Sequence, residues 1–177
     1  TMLSDIAAQL ESEADAHSPF CPAHATLTVG QINGGTAVNI LARECIFGFD
    51  LRCPPGLDPL AILAPFYAEA ERLGAEMKAR FPATGISIHR RSNTPPLAPE
   101  PGSAAEQLAR AIAGDNGPVR AVAYAAEAGQ FQQAGFSTII CGPGSIEQAH
   151  QPDEYIEVAQ MERGAAFMLR LGETLSS

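Results

Sequence analysis

The stretch ARECIFGFDLR, residues 42–52, carries the clearest strand signal in the chain. Side chains at every second position of an extended chain share one face of a sheet. One such face carries Cys45, Phe47, Phe49 and Leu51. An antiparallel sheet with one side on a core shows this kind of alternation. We therefore expect a β-sheet, packed on one side, at the centre of the fold.

Two further elements are predicted on the N-terminal side of this strand. Residues 26–32, TLTVGQI, alternate like a second strand. The Asn-Gly-Gly that follows is a turn signal, and both a tight Asn-Gly hairpin and a longer connection agree with it. Residues 2–10 predict an amphipathic helix. Its apolar side chains recur at four-residue steps: Met2, Ile6 and Leu10.

The C-terminal side of the strand predicts a helix and one more strand. Asp58 is placed to cap a helix whose first residue is Pro59, and apolar residues continue at helical spacing to Met77. Residues 86–91, ISIHRR, alternate like a short strand. The resulting order, α-β-β-α-β, matches a ferredoxin-like β-α-β-β-α-β unit that lacks its first strand.

Residues 93–103, NTPPLAPEPGS, contain four prolines and predict a domain boundary. We therefore divide the chain into domains at 1–94 and 95–177. In the second domain, predicted helices alternate with two short apolar strands at 119–124 and 137–141. This alternation predicts an α/β fold with a partly parallel sheet.

Composition and charge argue against several classes of partner. The 177 residues are 46% hydrophobic and 18% charged, which is typical of a chain with a folded core. A formal net charge of −9 argues against nucleic acid or an anionic membrane as the partner, since both need a basic surface. No apolar run is long enough to predict a membrane-spanning helix. The four cysteines form no CxxC pair, so we expect buried, reduced thiols in a cytoplasmic protein.

The stretch CGPGSIEQAHQPDEY, residues 141–155, is the richest in groups that carry chemistry. His150 follows a predicted strand, where its imidazole has three uses: binding a metal, moving a proton, or making a local hydrogen bond. Gly142 and Gly144 form either a backbone cradle for an anion or a simple turn. Glu154 is expected at the positive end of the final helix.

Three other side chains are candidates, each with a structural alternative. Glu127 precedes a predicted helix and either binds a ligand or favours the helix dipole. Arg52 ends the strand at 42–52 and either clamps a carboxylate or pairs with Asp50 on its own face. Asn39 is either a ligand-binding residue or an ordinary turn residue.

Three segments together resemble a known family of enzymes. They are VGQINGGTAVNIL (29–41), FGFDLRCPPG (47–56) and AEAGQFQQAGFSTIICGPGSIEQAHQPDEYIE (126–157). They resemble the metal-dependent aminoacylases, deacetylases and carboxypeptidases, a family that includes acetylornithine deacetylases, succinyl-diaminopimelate desuccinylases and glutamate carboxypeptidases. The resemblance is greatest to the acetylornithine deacetylases and covers nearly the whole chain.

The resemblance implies a fold, a reaction and a set of site residues. The family has a two-zinc catalytic domain, interrupted by a ferredoxin-like lid that makes the contact in its homodimers. Its metals, zinc or cobalt, serve to remove an acyl group from a small N-acyl amino acid. By resemblance, His150 is a zinc ligand, and the substrate-binding residues are Asn39, Arg52, Glu127, Gly142 and Gly144. Two alternatives stay open: a non-catalytic dimerisation module, and a sibling specificity such as a desuccinylase or dipeptidase.

The departures from the family pattern are as informative as the matches. The family's remaining zinc ligands, its general-base glutamate and a lid histidine have no counterpart in these 177 residues. We therefore expect the C-terminal half of such an enzyme, beginning inside its lid. On this interpretation the chain contains no catalytic residue, binds no metal alone and is inactive by itself, because one ligand cannot hold a catalytic zinc pair.

Overall fold

Helices and a single β-hairpin make up the chain in a computed structural model that describes residues 2–176. The elements are α1 (Met2–Ser12), β1 (Thr26–Gly34), β2 (Cys45–Arg52), α2 (Pro59–Arg80), α3 (Ala104–Ala113), α4 (Ala128–Gln133) and α5 (Val158–Ser176). The architecture is mixed α/β, as the sequence predicts. Every predicted helix forms, and so do both strands of the hairpin.

Strands β1 and β2 pair antiparallel, with Leu27 opposite Leu51 and Val29 opposite Phe49. The ladder closes at Gly34, and residues 35–44 connect the strands. The longer connection therefore forms rather than the tight Asn-Gly turn.

Gly30 is an extra residue in β1 and forms a β-bulge. Val29 lies opposite Phe49 and the next paired residue, Gln31, lies opposite Gly48. Beyond the bulge, Ile32 lies opposite Phe47. The inserted glycine thus keeps Ile32 on the same face as Val29, although the two are an odd number of residues apart.

Helices α1 and α2 cover one end of the hairpin. The buried cluster beneath them contains Leu10, Ala25, Leu27 and Leu63. Helix α2 starts where the sequence predicts, because Asp58 Oδ1 accepts a hydrogen bond of 2.8 Å from the Leu60 amide and Pro59 occupies the first helical position. The distal end of the same hairpin face is uncovered, and Ile32 there is 71% exposed.

The chain divides into two compact units, which we call the hairpin unit and the loop unit. The hairpin unit extends to Pro96 and includes Arg120–Ala125. The loop unit comprises Leu97–Val119 and the residues from Ala126 onward. In the loop unit, Arg170 Nη1 donates a hydrogen bond of 2.8 Å to the Ile112 carbonyl, which joins α5 to α3.

Three predicted strands do not form: residues 86–91, 119–124 and 137–141 have no β-structure. Within residues 2–176 only β1 and β2 form a ladder. A strand exists only when a neighbour accepts and donates its backbone hydrogen bonds, and these segments have no such neighbour in the described chain. The strand predictions, from alternation at 86–91 and from short apolar runs at 119–124 and 137–141, were wrong for that reason.

Apolar groups and thiols lie at the surface more than the sequence predicts. Cys21, Cys45 and Cys141 are exposed and Cys53 is half-buried, so the expectation of buried thiols was wrong. Cys45 lies at the uncovered end of the hairpin, and Cys141 ends one of the strands that did not form. Among the helices of residues 2–176, none has the length and apolarity that crossing a membrane requires.

Candidate functional site

The loop of residues 142–157 precedes α5 and is held at both of its ends. Pro143 packs against α5 so closely that a β-carbon at Gly164 would lie 2.9 Å from the proline Cγ. Gly144 adopts φ +97°, and a β-carbon there would lie 3.5 Å from Ile156 Cδ1. The beginning of the loop therefore contacts both its own end and the helix that follows.

A short turn inside this loop ends at His150. The Gln148 amide donates to the Ser145 carbonyl at 3.0 Å, and the Ala149 amide donates to Ile146 at 3.3 Å. His150 then adopts φ +59° and is the one non-glycine residue of the described chain with a positive φ. Turns commonly end on a left-handed residue, but glycine usually occupies that position because it has no β-carbon.

Glu154 satisfies the backbone of His150. Its Oε2 accepts a hydrogen bond of 3.1 Å from the His150 amide. The sequence placed Glu154 at the positive end of the final helix, but α5 begins only at Val158 and has no acidic residue in its first turn. That prediction was wrong, because the carboxylate turns back to the histidine amide instead of forward to the helix.

The imidazole of His150 is on the surface and has no hydrogen bond or ion pair to the described protein. Neutral imidazole is a common metal ligand, but zinc sites use at least three protein ligands. No group of three or more His, Cys, Asp or Glu side chains within residues 2–176 is arranged to hold a metal ion.

The glycines of the loop provide open backbone. Nothing lies within 4 Å of a β-carbon placed on Gly142, and its amide has no protein acceptor in the part of the chain that the structure describes. Ser145 Oγ accepts from the Glu147 amide at 3.3 Å, a local turn contact. This arrangement leaves room for an anion beside Gly142, whereas Gly144 packs against Ile156.

Glu127 precedes α4 in the loop unit. Its carbonyl accepts from the amides of Gln130 and Phe131, whereas its side chain makes no capping hydrogen bond. The exposed carboxylate has no hydrogen bond or ion pair within residues 2–176. Its position agrees with both interpretations of the sequence, a ligand-binding carboxylate and a favourable charge at a helix start.

Arg52 ends β2 and pairs with its own strand. Its Nε donates to Asp50 Oδ2 at 2.7 Å, and both side chains are mostly exposed. Its Nη1 also donates to the Ala123 carbonyl at 3.4 Å. The intra-sheet ion pair, which the sequence offered as the structural alternative to a carboxylate clamp, is thus present. An exposed pair of this kind contributes little to stability.

Asn39 lies in the loop of residues 35–44, exposed and close to a turn in which the Ile40 amide donates to Ala37. An open cavity of ≈ 260 Å³ lies at the same end of the hairpin, lined by residues that include Thr36, Arg43 and Glu44. Asn39 precedes β2 and Arg52 ends it, so roughly 23 Å of strand separates the ends of that element. The hairpin unit does not bring these two predicted residues together.

The thiol next to Arg52 is half-buried and its pKa is raised. Partial burial raises the pKa of Cys53, and the nearby Asp58 carboxylate raises it further. Only the thiolate is a good nucleophile or metal ligand. Cys53 is therefore a packing residue under α2, where it contacts the buried cluster of the hairpin unit.

The family of the chain follows from comparison with known proteins. The family model described as Peptidase family M20/M25/M40 matches residues 7–174. The chain belongs to this family. Residues 7–174 include the hairpin and the loop that carries His150, so the resemblance inferred from the sequence is confirmed. The M20 family is one of metal-dependent peptidases.

Curated relatives of this M20 chain are deacetylases. It is 36% identical to an acetylornithine deacetylase of Erwinia tasmaniensis over 81% of this chain and 36% of the relative. It is 34% identical to an acetylornithine deacetylase of Aliivibrio fischeri over 88% of this chain and 39% of the relative. An N-acetyl-L-citrulline deacetylase of Xanthomonas campestris pv. campestris is 30% identical over 76% of this chain and 35% of the relative. The chain thus spans little more than a third of the length of these relatives.

The hydrogen bond from the His150 amide to Glu154 is the feature of this loop that the sequence did not predict. The only local signal was a carboxylate four residues after a histidine, with a proline between them. That spacing also occurs in helices and loops without any such contact. The hydrogen bond depends on the left-handed conformation at position 150, which residue types alone do not specify.

Proposed function

We propose that this chain forms part of a metal-dependent amidohydrolase that removes the acyl group from an N-acyl amino acid, most like the acetylornithine deacetylases. The observation that carries the proposal is His150, exposed and held at φ +59° where glycine costs less. A strained conformation that persists at an exposed side chain points to a task for that side chain. The M20 match and the names of the relatives support the same reaction class.

Each predicted residue has a proposed contribution. His150 is one ligand of a zinc or cobalt centre whose other ligands come from a polypeptide that provides the rest of the M20 fold. Gly142 and Gly144 present open amides to the substrate's carboxylate or to the oxyanion of the reacting amide. Glu127 binds the substrate beside them. Arg52 binds the substrate's carboxylate from the lid, for which it must exchange its partner Asp50. Asn39 lies at the other end of β2 and contributes a separate substrate contact.

The hairpin unit is proposed as the lid and as the homodimer contact. The outer edges of β1 and β2 have no ladder partner among residues 2–176, and an unpaired edge is a template for another strand. Completion of the ferredoxin-like sheet would also give residues 86–91 the neighbour that they lack. A cytoplasmic location agrees with four cysteines that are all unpaired, three of them at the surface.

The proposal is tested in a chimaera in which this chain replaces the matching segment of the Erwinia tasmaniensis deacetylase. The chimaera should hydrolyse N-acetylornithine, lose activity to a chelator and recover it with zinc. N-Acetylcitrulline is the matched second substrate, because it differs only at the end of the side chain. The isolated chain, with zinc added, should hydrolyse neither.

Two variants make the test specific to the loop. His150→Ala should abolish the activity of the chimaera, as expected for loss of a metal ligand. His17→Ala, which removes another exposed histidine, should leave the activity unchanged. Full activity of the folded His150→Ala chimaera, or chelator-sensitive turnover by the isolated chain, would contradict the proposal.

A further inference from the structure

We propose that Glu154 is the positioning residue for His150: its carboxylate holds the backbone at position 150 in the left-handed conformation and so sets the direction of the imidazole. The proposal rests on the function proposed above, which gives the imidazole a task. It concerns the backbone of this chain, however, and is testable without metal or substrate.

The conformation of His150 needs an external restraint. A left-handed backbone is strained for a non-glycine residue, because the β-carbon approaches the following carbonyl oxygen. The short turn at 145–149 does not provide that restraint, since its last hydrogen bond is donated by Ala149. The His150 amide is the next donor in the chain, and its acceptor is the Glu154 carboxylate at 3.1 Å.

The segment between the two residues favours this contact. Pro152 has no amide hydrogen and a fixed φ, and the residue before a proline is held extended. Residues 151 and 152 therefore have little conformational freedom, and the turn at residues 152–153 brings position 154 back toward position 150. The hydrogen bond closes this segment into a small ring of which the left-handed His150 is one corner.

Glu154 has no other role in the described chain. Its carboxylate makes no other hydrogen bond and no ion pair within residues 2–176. It does not interact with the start of α5, which has no acidic residue in its first turn. A carboxylate acceptor makes a stronger hydrogen bond than a neutral one, which suits a restraint that opposes backbone strain.

The direction of the imidazole follows from φ at position 150. Rotation about the N–Cα bond moves the Cα–Cβ bond relative to the preceding peptide, so a return from φ +59° to the ordinary negative range points the side chain elsewhere. The contacts of Pro143 with Gly164 and of Gly144 with Ile156 hold the rest of the loop. Glu154 therefore controls the direction of one side chain without being needed for the fold.

The test uses the isolated chain labelled with nitrogen-15, and two NMR readouts at His150. A strong nuclear Overhauser effect between a residue's own amide and α protons marks a positive φ, and amide exchange reports the hydrogen bond. In Glu154→Ala the strong effect should weaken, and exchange of the His150 amide should accelerate by about tenfold, as for loss of a hydrogen bond to a charged acceptor. Glu154→Gln keeps an acceptor oxygen and should restore most of both signals.

Asp153→Ala is the matched control, because it removes a neighbouring carboxylate that has no hydrogen bond in the described chain. It should change neither readout, which separates the hydrogen bond from a general effect of charge. The proposal is overturned if Glu154→Ala leaves both signals of His150 unchanged, or if it unfolds the loop unit as a structural residue would. Neither outcome depends on deacetylase activity. The chimaera can therefore be inactive while Glu154 positions His150, and it can be active while Glu154 does not.

Discussion

Glu106 is the carboxylate of the loop unit with the most hydrogen bonds. Its Oε1 accepts from Arg110 Nε at 2.8 Å, and its Oε2 accepts from the Gly102 amide at 2.7 Å. The Arg110 hydrogen bond, followed by the Gly102 amide, lowers the pKa of this carboxyl below its ordinary value of 4.5. Ser103 caps the same helix by accepting from the Glu106 amide. The first turn of α3 is thus held by hydrogen bonds to a carboxylate whose charge depends on pH.

The pH dependence of stability should reveal this carboxylate. A carboxyl whose pKa is lower in the folded state contributes stability above its unfolded pKa, and that contribution disappears as pH falls through the folded pKa. Glu106→Gln should therefore lower the free energy of unfolding at pH 7, and its difference from the wild type should shrink below pH 4.5. Urea unfolding across this pH range measures the effect.

The control for this measurement is Glu162→Gln in α5. Glu162 is exposed and has no hydrogen bond or ion pair in the described residues. Its substitution removes the same charge without removing a hydrogen bond, so it should lower the free energy of unfolding at pH 7 less than Glu106→Gln does. Two results would show that the hydrogen bonds of Glu106 do not stabilise the fold. One is an equal decrease in the free energy of unfolding in both variants. The other is a difference between Glu106→Gln and the wild type that grows as the pH falls.

At the scale of single residues, what the sequence predicts depends on how local the interaction is. The cap at Asp58 was predictable because donor and acceptor lie two residues apart and Pro59 fixes the helix start. For Arg52 the sequence predicted either a ligand carboxylate or Asp50 as the partner, and the structure shows Asp50, the one nearer in sequence. The bond from His150 to Glu154 was not predictable, because it requires a backbone conformation that the residue type disfavours.

Helix α5 contains two glycines whose surroundings differ. Gly164 lies against Pro143, with 2.9 Å available between a β-carbon and the proline ring, whereas a β-carbon at Gly172 would have nothing within 4 Å. Glycine inside a helix is usually destabilising by about 0.5–1 kcal/mol relative to alanine. Only Gly172 is free to show that general effect.

The two alanine variants should therefore differ in stability. Gly172→Ala should raise the free energy of unfolding by about 0.5–1 kcal/mol through the helical preference of alanine. Gly164→Ala should not show this increase. Its free energy of unfolding should be about 1 kcal/mol lower than that of Gly172→Ala, because the new methyl group displaces Pro143. Urea unfolding compares them directly. If Gly164→Ala stabilises as much as Gly172→Ala, the loop is not seated on α5 as described.

Helices and strands were not equally predictable. A helix satisfies its own backbone, so its apolar spacing and end residues are enough to identify it, as for α2 and α3. A strand depends on a neighbour that may be distant in sequence, and side-chain alternation says nothing about whether that neighbour is present. Residues 86–91 have the right alternation and residues 137–141 are a short apolar run, yet neither has a ladder partner among the described residues.

For the whole molecule, the accessible surface is large for the mass. It amounts to 13502 Å² for 18.6 kDa. A folded monomer of this mass exposes about 8,200 Å², and two separate bodies of half the mass expose about 9,900 Å² in total. The excess is therefore several thousand Å² whatever the arrangement of the two units. This excess falls in the range of about 2,000–5,000 Å² that obligate interfaces bury.

We therefore expect the isolated chain to associate, with the hairpin as the contact. Light scattering should give a mass that rises above 18.6 kDa with concentration. Ile32→Lys should shift the chain toward monomer, since a lysine at an uncovered strand opposes strand pairing. Leu175→Lys is the matched control in α5, because Ile32 and Leu175 have side chains of the same size that are 71% and 72% exposed. A monomer at high concentration, or dissociation only in Leu175→Lys, would exclude association through the hairpin.

The bulge at Gly30 also determines how β1 can change in length. Without that residue, the strand sequence alternates without interruption, and Leu27, Val29 and Ile32 fall at every second position. Loss of Gly30 would leave every cross-strand pair intact, from Leu27 with Leu51 to Gly34 with Cys45. Loss of Thr28 or Gln31 would instead shift part of the strand to the opposite face. Position 30 is therefore the place in β1 where natural insertions and deletions among related chains should be concentrated.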